Sequence, residues 1–168
     1  VSQISGLKSI VIGYDSRVEG QSFARLVTQV FLAAGLKVYL FDEACPYPEM
    51  TFAIPSLGTD MGILISASHN DRRYNGYKLS SGTGSQFSPR VRSTIYNEYI
   101  RITKPSDIMI IEFEEADVDL YHPEDPFLDT NKLVFLGGIS PLPGFEYHGR
   151  PLINIHQMHQ DQIRRFIS

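Results

Sequence analysis

Between Ser66 and Lys78 the sequence reads Ser-Ala-Ser-His-Asn-Asp-Arg-Arg-Tyr-Asn-Gly-Tyr-Lys. A hydroxyl at Ser68, an imidazole at His69, an amide at Asn70, guanidinium groups at Arg72 and Arg73 and an ammonium at Lys78 fall within one short stretch. Asp15-Ser16-Arg17 and the pair Asp42-Glu43 follow two earlier apolar runs. Cationic forks, hydrogen-bond donors and a hydroxyl that can accept a phosphoryl group are what phosphate handling requires. Three chemistries could use the set. A serine hydrolase would place its nucleophile in G-x-S-x-G, and Ser68 lacks the flanking glycines, with His69 too close in sequence for a triad. A nucleotide site would show a glycine-rich fingerprint after a strand, but Gly13 stands alone there, no G-x-x-x-x-G-K-[ST] occurs, and Gly82-x-Gly84 reads as a turn. The third is phosphoryl transfer through a phosphoserine, where positioning and charge neutralisation dominate.

The elements that must position these groups are readable from periodicity. Ser9–Tyr14, Lys37–Phe41 and Met61–Ser66 are short, apolar and rich in β-branched residues, as buried strands are. Between the first two, Phe23, Leu26, Val27, Val30, Phe31 and Ala34 recur at helical period, and Gly35 stands where a left-handed cap is wanted. A second helix enters at Pro48, with Glu49 in its first turn and Met50, Ala53, Ile54 and Leu57 as its stripe; Pro55 makes it short or kinked. Alternation of strand and helix predicts parallel pairing with right-handed crossovers, hence a three-layer α/β/α sandwich with a mostly parallel sheet. A strand over Gly76–Ser80 follows the Asn75-Gly76 turn, and Ser88-Pro89 opens a helix carrying Val91, Ile95, Tyr99 and Ile102. In such a sheet ligands bind beyond the carboxyl ends of the strands, where Asp15–Arg17 and Ser66–Asn70 fall.

The second half is less regular. Acidic residues accumulate from Glu112 to Asp125 in an excursion at about 105–131, without the central Gly and terminal Glu of a calcium loop, so a solvated surface is the plainer reading. A Pro/Gly-rich stretch from Pro141 to Pro151 resembles a linker, and Asn154 can cap a last helix through Ile155, Met158, Ile163 and Phe166. His156 and His159 stand at i, i+3 with no third metal ligand evident. The expected division is one α/β/α domain over 1–150, then a linker and helix onset over 151–168.

With 15 Lys/Arg against 19 Asp/Glu the chain carries a formal charge of −4, which argues against a generic nucleic-acid binder. No apolar run approaches the roughly 20 residues of a membrane helix, so no membrane association is expected. The lone Cys45 excludes an internal disulfide framework and fits a cytoplasmic location. The first residue is Val1, which fits a start inside a longer polypeptide.

Gly62-Ile63-Leu64-Ile65-Ser66-Ala67-Ser68-His69-Asn70 followed by Asn75-Gly76-Tyr77-Lys78 resembles the active-serine segment of the α-D-phosphohexomutases, the phosphoglucomutase/phosphomannomutase family. Tyr14-Asp15-Ser16-Arg17 and Pro46-x-Pro48 are similar to that family's x-D-[ST]-R turn and T-P-x-P segment, and the likeness runs from about Ile10 to Tyr99, its first domain. Ser66 stands where the family has Thr, and Asp71 where it has Pro. The resemblance implies a phosphoryl group moving between O1 and O6 of a hexose phosphate through a phosphoserine at Ser68 and a hexose 1,6-bisphosphate. It implies His69 and Lys78 as the proton-exchanging pair, Arg17 beside the phosphoserine, Asn70, Asp15 and Ser16 in support, and Mg2+ touching Ser68 through its phosphate. The other metal ligands and the sugar and phosphate grips belong to further domains of the same polypeptide, so the isolated chain is expected to fold yet be inactive. The competing class is a non-catalytic phosphosugar-binding or interaction domain that retains the motif.

Overall fold

Strict alternation of side chains across three apolar strands sets the layering. In the computed structural model, which describes residues 6–99, 101, 104–111, 132–137 and 152–167, β1 (Ser9–Tyr14), β2 (Lys37–Phe41) and β3 (Met61–Ile65) form the centre of a six-stranded sheet. They are joined by β4 (Tyr77–Ser81), β5 (Leu133–Gly137) and β6 (Leu152–Asn154) in the order β4-β3-β1-β2-β5-β6. All neighbouring pairs are parallel except β3 with β4. The helices are α1 (Gly20–Ala33), α2 (Tyr47–Ser56), α3 (Pro89–Tyr99) and α4 (Ile155–Ile167), with a 3-10 turn over Pro105–Asp107.

Ile10, Ile12 and Tyr14 face α1 together with Val38, Leu40, Ile63, Ile65, Leu133 and Phe135, while Val11, Phe41, Leu64 and Leu136 face α2 and the start of α4. Both faces are covered, as the unbroken apolar strands require. On the α2 side a Cβ at Gly62 would lie 2.4 Å from Ile54 Cδ1 and 2.9 Å from Met50 Sδ, so only glycine lets α2 approach the sheet this closely. α2 ends at Ser56, one residue beyond Pro55, the short helix that proline predicts.

Three expectations change. On α1 the buried face is Gly20, Ala24, Val27, Thr28 and Leu32; Val30 and Phe31 are half-buried, and Phe23, Leu26 and Ala34 are exposed. The helix is apolar around much of its girth, and the face that meets the sheet joins the small residues Gly20, Ala24 and Thr28 to Val27 and Leu32 and leaves Phe23 and Leu26 outside. Thr28 can join them because its hydroxyl donates to the Ala24 carbonyl at 2.9 Å. The predicted stop is as expected: Gly35 has φ +83°, its N–H donates to Leu32 O and that of Leu36 to Phe31 O, the paired bonds of a Schellman cap. On α3, residues 89–98 are exposed or half-buried and none of them joins the core; Val91, Ile95 and Tyr96 among Arg90, Arg92, Asn97 and Glu98 make too narrow a stripe to demand burial. The second half also contributes more sheet than its composition suggests. Leu133–Gly137 is fully buried as β5, and Leu152–Asn154, within the stretch read as linker, pairs with it as β6. Ile102, the acidic run from Glu112 to Asp125 and the Pro141–Pro151 stretch lie outside the described residues.

Asn154 caps α4 as its sequence indicates, its Oδ1 accepting the Gln157 N–H at 2.9 Å. The helix docks on α2 through buried Glu49, whose Oε2 lies 3.3 Å from His156 Nδ1, and through the rings of Phe52 and His159 at 4.9 Å. The two histidines are thus packing groups, and among the described residues no three His, Cys, Asp or Glu gather as a metal site. No helix among the described residues is long and apolar enough to cross a membrane.

At the amino ends of β1 and β3, Asp60 Oδ2 accepts the N–H groups of Lys8 at 2.7 Å and Ser9 at 2.9 Å and the Ser9 hydroxyl at 3.2 Å. The Lys8 N–H, foremost among these donors, holds the carboxyl below the usual range. A group depressed in the folded state stabilises above its unfolded pKa, near 4, and that contribution disappears as pH falls through the folded value. Asp60→Asn should therefore lower the melting temperature more at pH 7 than at pH 2. Equal destabilisation at both pH values would rule out this charge as the cause.

Candidate active site

The carboxyl ends of β1 and β3 lie side by side, with the Asp15 N–H donating to Ile65 O at 3.1 Å. β1 leads into Asp15–Glu19, and β3 leads into a loop that returns at Gly76, whose carbonyl accepts the Ser66 N–H at 2.9 Å. Arg17 joins the two. Its Nε donates to Asp15 Oδ2 at 2.9 Å; Nη1 donates to the carbonyls of Asn70 (2.9 Å), Asp71 (2.9 Å) and Tyr74 (3.2 Å), and Nη2 to that of Ser68. Its side chain is only 9% exposed. A rigid fork of donors suits this task where a lysine's single ammonium would not. The sequence reading placed Arg17 beside a phosphoserine; in the structure its hydrogen bonds run to the backbone of the loop that carries Ser68. Val18 adds two further ties, its N–H donating to Arg72 O at 3.3 Å and its carbonyl accepting Asn75 Nδ2 at 2.6 Å.

Within this frame Ser68 has φ +59°, a left-handed conformation costing a non-glycine residue about 1–2 kcal/mol. Its N–H donates to the hydroxyl of buried Ser66 at 3.1 Å, and its carbonyl is held by Arg17. The surroundings over-determine the strained backbone and leave the Ser68 side chain exposed, with Oγ 3.3 Å from His69 Nδ1. Asn70 acts through its main chain, its N–H donating to Ala67 O at 3.1 Å while its carbonyl meets Arg17. Ser16 is exposed.

Asp71, the acidic residue of this loop, turns onto Arg73, whose Nε and N–H reach Oδ1 at 2.9 and 3.0 Å. The Arg73 guanidinium, then its N–H, hold this carboxyl below the ordinary range, so the local charge is balanced. Arg72 is exposed, with its guanidinium in no ion pair among the described residues. Lys78 stands opposite Leu64 on β4 and is half-buried, its Nζ 5.2 Å above the centroid of the Tyr47 ring. Cys45 is no competing nucleophile: burial pushes its thiol far above the range in which a thiolate forms.

The α/β/α domain I of phosphoglucomutase/phosphomannomutase, as a family model, matches residues 2–106. The chain belongs to that family. Over 80 residues this domain I is 46% identical to a Schizosaccharomyces pombe protein named as a phosphoribomutase, covering 48% of this chain and 14% of that one. Over 131 residues it is 30% identical to a Staphylococcus epidermidis phosphoglucomutase, covering 74% and 24%. A Thermus thermophilus crystal structure, described as a phosphomannomutase, superposes with a TM-score of 0.55 at 30% identity, over 56% of this chain and 22% of that one. Domain I thus spans about a seventh to a quarter of the length of these relatives.

Magnesium, implied by the resemblance, finds no ready cage among the described residues. Magnesium is usually held by one or two carboxylates together with substrate phosphate. Of the three carboxylates of these loops, Asp15 and Asp71 are engaged by Arg17 and Arg73, and Glu19 stands exposed at the start of α1. The described residues do not make a magnesium site.

Sequence reasoning names Arg17 but not the contacts it makes, and it misses Tyr47. Nothing in local spacing shows that Arg17 faces the carbonyls of a loop more than fifty residues away. Tyr47, between Pro46 and Pro48, occupies the variable position of its motif, though two prolines around one aromatic do signal a rigidly held ring.

Proposed function

We propose that this chain is the phosphoserine-bearing domain of a sugar-phosphate mutase. The observation that carries the reading is Ser68, held left-handed at an exposed position of a clamped loop with His69 Nδ1 at 3.3 Å from its hydroxyl. In the proposed cycle the P–Oγ bond of phosphorylated Ser68 breaks as a bond forms from a substrate hydroxyl oxygen to phosphorus. The hydroxyl proton passes to a base, and the freed serine oxygen is protonated. The resulting bisphosphate reorients and returns its other phosphoryl group to Ser68, so the phosphate has moved between O1 and O6 of a hexose phosphate. His69 and Lys78 exchange the protons, and Lys78 and Arg72 supply positive charge. Names for ribose and glucose phosphate mutases among the relatives support phosphotransfer as the shared chemistry of this segment. The isolated chain is proposed to be inactive, with magnesium, sugar and second-phosphate contacts contributed by other parts of a longer polypeptide.

The test uses the complete polypeptide of the reading frame, assayed with glucose, mannose and ribose 1-phosphates in the presence of the matching bisphosphate. Lys78→Ala should lower kcat by about 10²-fold, the usual scale for a general acid or base. Stability should fall by no more than about 1 kcal/mol, the scale of an exposed cation–π contact. Near-normal turnover in the variant would remove Lys78 from the chemistry. A polypeptide that binds these sugar phosphates and converts none would favour the binding-domain reading.

A further inference from the structure

We propose that Tyr47 is a positioning residue for Lys78, holding its ammonium at the carboxyl edge of β3 without neutralising it; this rests on the phosphotransfer reading above. Lys78 and Ser80 are two residues apart on β4 and so face the same side. Their ladder partners are Leu64 and Gly62, and Leu64 packs in the cluster with Met50 and Ile54 of α2. Tyr47, the first residue of α2, lies along that face. Its hydroxyl is 3.2 Å from Oγ of fully buried Ser80, and its ring lies under Lys78 Nζ at 5.2 Å. Ser80 thus anchors the far end of the ring, and Pro46 and Pro48 restrict the backbone at its near end.

The kind of contact matters. A lysine side chain is flexible, and the attraction of its ammonium to the face of an aromatic ring biases where that ammonium sits. A carboxylate would hold it as well but would cancel its charge and occupy its N–H donors. Among the described residues Lys78 makes no salt bridge. An aromatic face leaves the full charge and the N–H groups available to an anionic phosphate.

The experiment is a double-mutant cycle in the complete polypeptide, with Tyr47→Leu, Tyr47→Phe, Lys78→Ala and the Tyr47→Leu/Lys78→Ala pair, assayed on the same three sugar 1-phosphates. Trace acetylation of Lys78 relative to exposed Lys104 is followed in parallel and needs no turnover. Tyr47→Leu should lower kcat about fivefold, the rate equivalent of about 1 kcal/mol, with KM little changed. Tyr47→Phe, which keeps the ring, should retain most of the rate. In the Lys78→Ala background Tyr47→Leu should cost nothing further, and on its own it should raise Lys78 acetylation. Equal losses in both backgrounds would mean that Tyr47 is merely structural, and unchanged acetylation would mean that the ring does not hold the lysine; either overturns the proposal. Full activity in Lys78→Ala would instead show the failure of the underlying role of Lys78, which the cycle reads separately.

Discussion

Ser68→Ala in the complete polypeptide is expected to abolish phosphoryl transfer, lowering kcat by about 10³-fold or more, as loss of a covalent nucleophile does. The same variant should fold normally, because the Ser68 side chain is exposed and, among the described residues, its hydroxyl hydrogen-bonds only with His69. Phosphopeptide mapping of the active enzyme should find the label on Ser68. The competing hydroxyls differ physically: Ser66 is buried and accepts the Ser68 N–H, and Ser16 is exposed on the neighbouring loop. A label on either, with none on Ser68, would sink the assignment. Ser68→Gly is a useful companion, since glycine relieves the left-handed backbone. It should be as inactive as Ser68→Ala yet more stable by roughly 1 kcal/mol.

Arg17→Met should be the most destabilising single change in the site, costing about 3 kcal/mol or more, the scale of breaking a largely buried ion pair from one side. It strips Asp15 of its partner and at once leaves the carbonyls of Ser68, Asn70, Asp71 and Tyr74 without their donor. Arg17→Lys keeps the charge but not the fork, and should recover only a minor part of the loss. Urea unfolding measures the stability, and amide hydrogen exchange over residues 68–75 measures the loop. A direct contact with the phosphoserine predicts another pattern: Arg17→Met would leave the unphosphorylated protein as stable as wild type, and Arg17→Lys would restore most of the activity.

Much of the frame was legible because burial on both faces imprints itself on short strands. Ser9–Tyr14 and Lys37–Phe41 stand where their composition puts them, and the Schellman stop at Gly35 follows from one residue. The face of α1 was not legible. Periodicity finds a stripe, but which side of a broadly apolar helix meets a sheet depends on how closely small residues let it approach, and Gly20 and Ala24 decided that against Phe23 and Leu26. β5 escaped because Leu133–Leu136 follows a long acidic stretch and pairs with β2, more than ninety residues earlier in the chain, a partnership no local pattern announces. At the site, the order of chemical groups from Ser66 to Lys78 was readable. The Arg17 clamp and the Tyr47–Lys78 contact depend on distant segments meeting, which spacing alone does not reveal.

The clamp also bears on how such a site can diversify. Arg17 grips carbonyl oxygens, which all twenty residue types carry in the same place. Side chains at 70, 71, 72 and 74 are therefore under little obligation to the shape of the loop, and Asp71 in place of proline is one such freedom, compensated locally by Arg73. A lineage holding this architecture can exchange the outward-looking groups of the loop while Ser68 stays where it was. New substrate preferences then become accessible by single substitutions in a loop whose backbone does not have to be reinvented.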